Sequence, residues 1–328
     1  MTGHEITAKR IVNPARVLRG LWNSAGMLIV LVLLFIAVSL FVDDFFSWTN
    51  MKGLALSVST VGIVACTMLF CLASGDFDLS VEAVVAFAGV LAAVVVNYTG
   101  SVVLGFAAGL VAGSIVGLVN GIVIAKLHIN ALITTLATMQ IVRGMGYIVS
   151  GGSAVGVREE NFFVLGTSSF AGVPTPVCLM LACFLFFGIL LKTTRFGRST
   201  LAIGGNKEAA RLAGVAVDRV KIIIFTMQGL MAGFAGIVLA SRMTSGQPTT
   251  SQGFALEVIS ACVLGGVSLT GGVGNMTGTI VGVMIMGIVQ NAMSLQNVDS
   301  FWQYVARGTI LLAAVLFDEL KRSRRRTI

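Results

Sequence analysis

The stretch SVVLGFAAGLVAGSIVGLVNGIVIA, residues Ser101–Ala125, carries no charged side chain from end to end. A helix that is apolar all round lies in lipid or deep inside protein, and about 20 such residues cross a bilayer. Within the stretch Gly105, Gly109, Gly113, Gly117 and Gly121 recur at every fourth position, one stripe down one face. Helices in lipid gain little by hiding apolar surface from one another, so small residues collect where their backbones meet. The stretch therefore reads as a membrane span with a packing seam.

The pattern recurs along the chain. Gly26 to Val42 is another long apolar run, and the pairs Gly229/Gly233 and Gly278/Gly282 repeat the small-residue spacing. The 328 residues are 56% hydrophobic and 11% charged, against about 25% charged in soluble proteins. Mean hydropathy is +0.95. Glycine accounts for 39 residues, well above the roughly 7% of an ordinary chain. The expected fold is an all-α polytopic membrane protein with about ten transmembrane helices, some of them broken. The spans are placed at Ala25–Val42, Leu54–Ser74, Leu79–Asn97, Val102–Ala125, Ile129–Ser150, Pro174–Leu191, Ile222–Ser241, Leu256–Leu269, Thr277–Leu295 and Trp302–Phe317. Residues 1–24 form an N-terminal segment, 25–319 a single transmembrane domain and 320–328 a basic tail. The first span is long and no small-residue cleavage site follows it, so it reads as retained rather than as a signal peptide.

Lysine and arginine mark the cytoplasmic side of short loops. Lys9, Arg10, Arg16 and Arg19 precede the first span. Lys192, Arg195, Arg198, Lys207, Arg211, Arg219 and Lys221 crowd the loop at about 192–221, and Lys321, Arg322, Arg324, Arg325 and Arg326 close the chain. Ten spans put all three groups, with Lys126, on one side, whereas an odd number would split the first from the last. Both termini are thus expected in the cytoplasm. The net charge of +8 reflects membrane topology and lipid surroundings, with no nucleic-acid partner implied.

The five cysteines, Cys66, Cys71, Cys178, Cys183 and Cys262, lie in apolar runs without ligand spacing, and only His4 and His128 represent histidine. No catalytic triad, metal site or cofactor site is expected.

Three segments depart from a plain bundle. Ser74-Gly75-Asp76-Phe77-Asp78-Leu79-Ser80-Val81-Glu82 puts three acids between two apolar runs. Asp78 suits a cap for a helix starting at Leu79, with Glu82 near its positive end. The segment is either a short cytoplasmic turn or a break at depth, which is tolerated only beside a cavity or protein. Leu264 to Gly274 repeats the arrangement of apolar run, small-residue break and apolar run, suggesting an internal repeat. Upstream of it, Glu257 lies at the outer surface or faces a pore.

The third segment is the basic loop. Gly204 and Gly205 precede Asn206, an N-cap residue. Lys207–Ala213 follow, and Gly214 is a C-cap. Two turns of helix are too short to stand alone in water. The helix either lies on lipid headgroups or docks on a soluble partner, for which Ala209, Ala210 and Ala213 offer a small insertable surface. In the fifth span Asn130, Thr134 and Thr138 fall within about 80° of arc, and Gln140, Arg143 and Tyr147 share another face. These residues, with Asp76 and Asp78, are candidates for the path of a hydroxyl-rich solute. The alternatives are threonines bonding their own backbone and Arg143 reaching outward.

No lysine follows a glycine anywhere, so the phosphate-binding loop G-x-x-x-x-G-K-[ST] is absent. No loop exceeds about 30 residues, too short for a receptor domain.

The residues resemble the ribose/arabinose/branched-chain amino-acid class of ATP-binding-cassette permeases from about Gly26 to Asp318. The stretches that carry the likeness are Asp78–Val81, Asn130–Thr138 with Arg143-Gly144, Thr194–Arg198, Ala202–Asn206 with Glu208–Gly214, and Val263–Leu269. Gly75–Ser80 and Ser245–Pro248 are closest to the arabinose branch. The resemblance implies a permease in the bacterial inner (cytoplasmic) membrane, importing a monosaccharide, L-arabinose, with ribose and galactose as alternatives. It implies a second copy of the chain, a cytoplasmic ATPase holding ATP and Mg, and a periplasmic sugar-binding protein. It assigns ATPase coupling to Gly204, Gly205, Asn206, Glu208, Ala209, Ala210 and Gly214. Many sugar relatives have glycine where Asp76 and Glu82 stand here. The rival from another class is a proton-coupled secondary transporter using Asp76, Asp78, Glu82 and Glu257, which would need no docking helix.

Overall fold

The computed structural model describes residues 14–326. Lys9 and Arg10 lie outside the described residues. The chain forms helices almost throughout: α1 (Pro14–Phe41), α2 (Trp48–Ala73), α3 (Val81–Thr99), α4 (Val102–Lys126), α5 (Ala131–Ser150), α6 (Val164–Thr167), α7 (Thr175–Thr193), α8 (Arg195–Gly205), α9 (Lys207–Leu212), α10 (Val217–Arg242), α11 (Phe254–Leu264), α12 (Met276–Leu295) and α13 (Ser300–Arg326). Seven of them, α2, α3, α4, α5, α7, α10 and α12, are long and apolar enough to cross a membrane. Three shorter apolar segments, 26–41, 254–264 and 300–316, occupy the places of the first, eighth and tenth expected spans. The fold is that of an all-α polytopic membrane protein.

The middle of the bundle is α2, buried continuously from Val58 to Ala73. Around it pack α7, α8, α10, α11 and α12. The glycine stripe of α4 is the seam expected of it. A Cβ on Gly113 or Gly117 would collide with the α10 carbonyls of Gly229 and Phe225, and one on Gly121 would come within 2.8 Å of Ile222 Cα. Gly229 and Gly233 face the same seam from the other side, against the Gly113 and Gly109 carbonyls. Gly278 and Gly282 likewise hold α12 against Gly265 and Ala261 of α11. Away from this seam α4 is lined by exposed apolar side chains such as Val111, Ile115 and Ile122. That outer surface suits hydrocarbon, not water.

Several boundaries differ from the sequence reading. The eighth span, expected to reach Leu269, stops at Leu264. Gly266 adopts φ +85°, its N–H bonds to Val263 O and the Val267 N–H to Cys262 O, a left-handed helix stop. The helix expected to start at Leu79 starts at Val81. The seventh span begins earlier than expected, at Val217. The last helix continues through Arg326 into the segment read as a tail. Segment 192–221 holds one more helix than expected: α8, of which Gly204 and Gly205 are the last residues. At the opposite end of the bundle, residues 151–174 fold over the helix ends. Two short ladders lie here: Val155–Gly156 pairs with Ser245–Gly246, and Ser169–Phe170 with Val173–Pro174.

Gly113→Leu should drive a side chain into the α10 backbone. We expect a much reduced yield of folded protein and a lower Tm in detergent, since overpacking typically costs about 1–3 kcal/mol and a backbone clash more. Gly53→Ala, where a Cβ meets nothing within 4 Å, should melt like the parent.

Candidate functional site

The break between α2 and α3 organises the polar residues of the bundle. Helix α2 ends as α11 does: Gly75 at φ +83°, its N–H on Leu72 O, and the Asp76 N–H on Cys71 O at 3.0 Å. The glycine turns the chain while the helix-end carbonyls stay bonded, which a membrane interior demands. Asp78 then accepts from the Ser80 N–H at 2.9 Å and the Ser80 hydroxyl at 2.6 Å. It thus tethers the first turn of α3 through Ser80, two residues beyond the start expected from sequence.

From Ser80 the bonds cross the bundle. Asn120 Nδ2 of α4 donates to Ser80 Oγ at 2.9 Å, and the Thr138 hydroxyl of α5 donates to Asn120 Oδ1. Thr138 also reaches Thr134 O of its own helix. Donors therefore point in one direction, from α5 through α4 and α3 to the Asp78 carboxylate. Asp78 is fully buried and its Oδ2 has no hydrogen-bond partner among the described residues.

Ion pairs flank this chain of bonds. Lys221 Nζ in the first turns of α10 lies 2.6 Å from Asp76 Oδ2, both side chains about one-tenth exposed. Arg143 of α5 pairs with Glu82 of α3, so it neither points outward nor stands free. Glu257 of α11 is buried, neither at a surface nor free, with Arg307 of α13 at 3.6 Å. Intramembrane acids are costly and normally face protein or a partner. Here Asp76, Glu82 and Glu257 each face a base.

The candidate path residues thus separate. Asp76, Asp78, Thr138 and Arg143 belong to the network and its ion pairs. Thr134 is buried, its hydroxyl on Asn130 O at 3.0 Å. Asn130 is the N-cap of α5, accepting from the Leu132 and Ile133 N–H groups. Gln140 lies on the exposed side of α5, among Leu136, Ile141 and Ile133. Asn120, Ser80 and Lys221 were not singled out in the sequence. Asn120 sits in the otherwise apolar α4, and a lone amide in a span is the signal that points to it.

At the end of the bundle where the break lies, the short helix α9 matches its sequence signature. Asn206 Oδ1 accepts from the Ala209 N–H at 2.9 Å, and Gly214 closes the helix at φ +84°. Ala210 does not belong to the outward surface. It is buried against Ile203 of α8 and Val217 of α10, locking the three helices into one unit. Ala209, Leu212 and Ala213 face outward, and Leu212 is 89% exposed. Glu208 is exposed as well.

Residues 50–315 match the family described as branched-chain amino acid transport system / permease component, and the chain belongs to that family. It is 61% identical over 308 residues to the L-arabinose transport system permease protein of Escherichia coli strain K12, covering 94% of each chain. It is 54% identical over 320 residues to the L-arabinose ABC transporter permease protein of Azospirillum brasilense, covering 97% of this chain and 94% of the relative. Identity to the ribose import permease protein of Bacillus subtilis strain 168 is 39% over 304 residues, or 92% and 94% of the two chains. No solved structure matches the chain.

Asn120→Ala should strand Ser80 and Thr138 without their cross-helix partner. A loss of about 1–3 kcal/mol is expected for buried groups left unbonded, read as a lower Tm of the purified protein. A parental Tm would show that the three-helix network holds nothing.

Proposed function

We propose that the chain is the membrane-spanning permease subunit of an ATP-binding-cassette importer that carries L-arabinose into the bacterial cytoplasm, with ATP hydrolysed on a separate subunit. The observation that carries this reading is the 61% identity over 94% of the chain to a protein named for L-arabinose transport. A ribose-named relative at 39% is distinctly more distant, which favours arabinose over the other pentose. The absence of a phosphate-binding loop in the sequence fits a subunit that transports without hydrolysing ATP itself.

In this reading the chain crosses the inner membrane ten times, the three shorter apolar helices completing the count, and the ends bearing Lys9 and Arg326 lie in the cytoplasm. The capped helix α9 is then cytoplasmic and docks on the ATPase. Leu212, 89% exposed on α9, is the large apolar side chain that such docking would cover. Ala209 and Ala213 flank it, while Ala210 holds the helix from behind. Two copies of the chain form the path for sugar, and a periplasmic binding protein delivers it.

Radiolabelled L-arabinose uptake into proteoliposomes tests the reading. Uptake is expected only when the ATPase, the binding protein and ATP are all present. Uptake by the chain alone under a proton gradient would overturn the assignment. Leu212→Asp should lower ATP-driven uptake roughly tenfold, the scale of losing one interface anchor, while the purified permease keeps its Tm. Ala210→Asp should behave differently, lowering Tm, because it buries a charge at the joint of α8, α9 and α10.

A further inference from the structure

Segment 74–80 is gripped at two separate points, and both lie in the unit that carries α9. The first grip is steric. Gly204, next to last in α8, rests with its α-carbon against the Ala73 carbonyl and the Gly272 amide, so that any Cβ there would collide with both. The Gly272 N–H donates to Ala73 O at 2.9 Å. A Cβ on Gly271 would come within 2.8 Å of Gly204 Cα and 3.0 Å of Gly75 N. Three backbones thus meet with no side chain between them: the end of α2, the end of α8 and the loop that follows α11. The second grip is the ion pair between Lys221 and Asp76, at the start of α10.

The two grips belong to one packed unit. Ile203, Ala210 and Val217 pack into one cluster, and the Val215 N–H closes back on Ala210 O at 3.0 Å. A push on α9 therefore reaches Gly204 and Lys221 as a push on one body. Close-packed backbones and a buried ion pair have discrete arrangements and do not yield gradually.

Resting on the importer reading above, we infer that segment 74–80 is the receiver of the ATPase stroke. It is driven through the Gly204 joint and the Lys221–Asp76 pair, and it passes the movement through Asp78, Ser80, Asn120 and Thr138 to α5. Gly204, Asp76 and Lys221 are positioning residues that act through this segment, and none of them contacts sugar or nucleotide in this role. A chain of packed and hydrogen-bonded groups becomes a transmission route only when breaking it alters coupling, so the test reads coupling itself.

The experiment measures L-arabinose carried per ATP hydrolysed by the complete complex, with ATPase and binding protein, in proteoliposomes. In Gly204→Ala complexes that assemble, sugar carried per ATP is expected to fall about fivefold or more. Gly53→Ala should keep the parental ratio. A parental ratio in Gly204→Ala overturns the inference. If that variant fails to assemble, the double variant Asp76→Asn, Lys221→Gln replaces it, since it removes the second grip without leaving a buried charge alone. A fall in its ratio supports the inference and a parental ratio overturns it. The parent separates this from the underlying reading: a parent that takes up no L-arabinose with all partners and ATP refutes the importer assignment itself.

Discussion

Hydrocarbon offers no hydrogen bonds, so each backbone group and each charge inside the bundle must find its partner within the protein. That constraint shapes every irregular feature of this chain. Where α2 and α11 stop short, each does so with a positive-φ glycine and a pair of closing bonds to its own last turn. Three of the interior acids face a base from another helix, Lys221 for Asp76, Arg143 for Glu82 and Arg307 for Glu257, while Asp78 is held through the N–H and hydroxyl of Ser80. Where helices meet, glycine lets carbonyls approach to distances no side chain would permit.

The same constraint explains a peculiarity of segment 74–82. Two of its three acids, Asp76 and Glu82, approach bases of other helices, one on α10 and one on α5. A buried pair contributes little net stability, because desolvation offsets most of the attraction, but removing one partner is severe. Such pairs specify which helices sit together more than they strengthen the bundle. Here they tie α3 to α5 and the break to the start of α10, the elements between which the polar chain from Thr138 to Asp78 also runs.

The two ends of the bundle differ in build. At one, short ladders between residues 155–156 and 245–246 fold the connecting segments over the helix ends. At the other, α8 and α9 form a compact unit held by Ile203, Ala210 and Val217, with Leu212 left uncovered.

Much of this was legible without coordinates. The apolar runs located the seven helices long and apolar enough to cross a membrane, with ends off by up to about six residues, because hydrocarbon tolerates no other composition over that length. The glycine stripe of α4 announced its seam, and Asn206 and Gly214 bracketed α9, because caps are local chemistry. What the sequence could not reveal was partnership. Arg143 pairs with Glu82, 61 positions away in the chain, and nothing local distinguishes that from an outward-reaching arginine. Ala209 and Ala210 look alike as letters, yet packing on Ile203 and Val217 turns one inward and leaves the other outside. The meeting of Ala73, Gly204 and Gly272 is wholly tertiary. Composition and periodicity determined that this chain crosses the membrane and where its helices break, and only the packed structure decided which broken ends touch, because contact between distant backbones is set by the whole bundle at once.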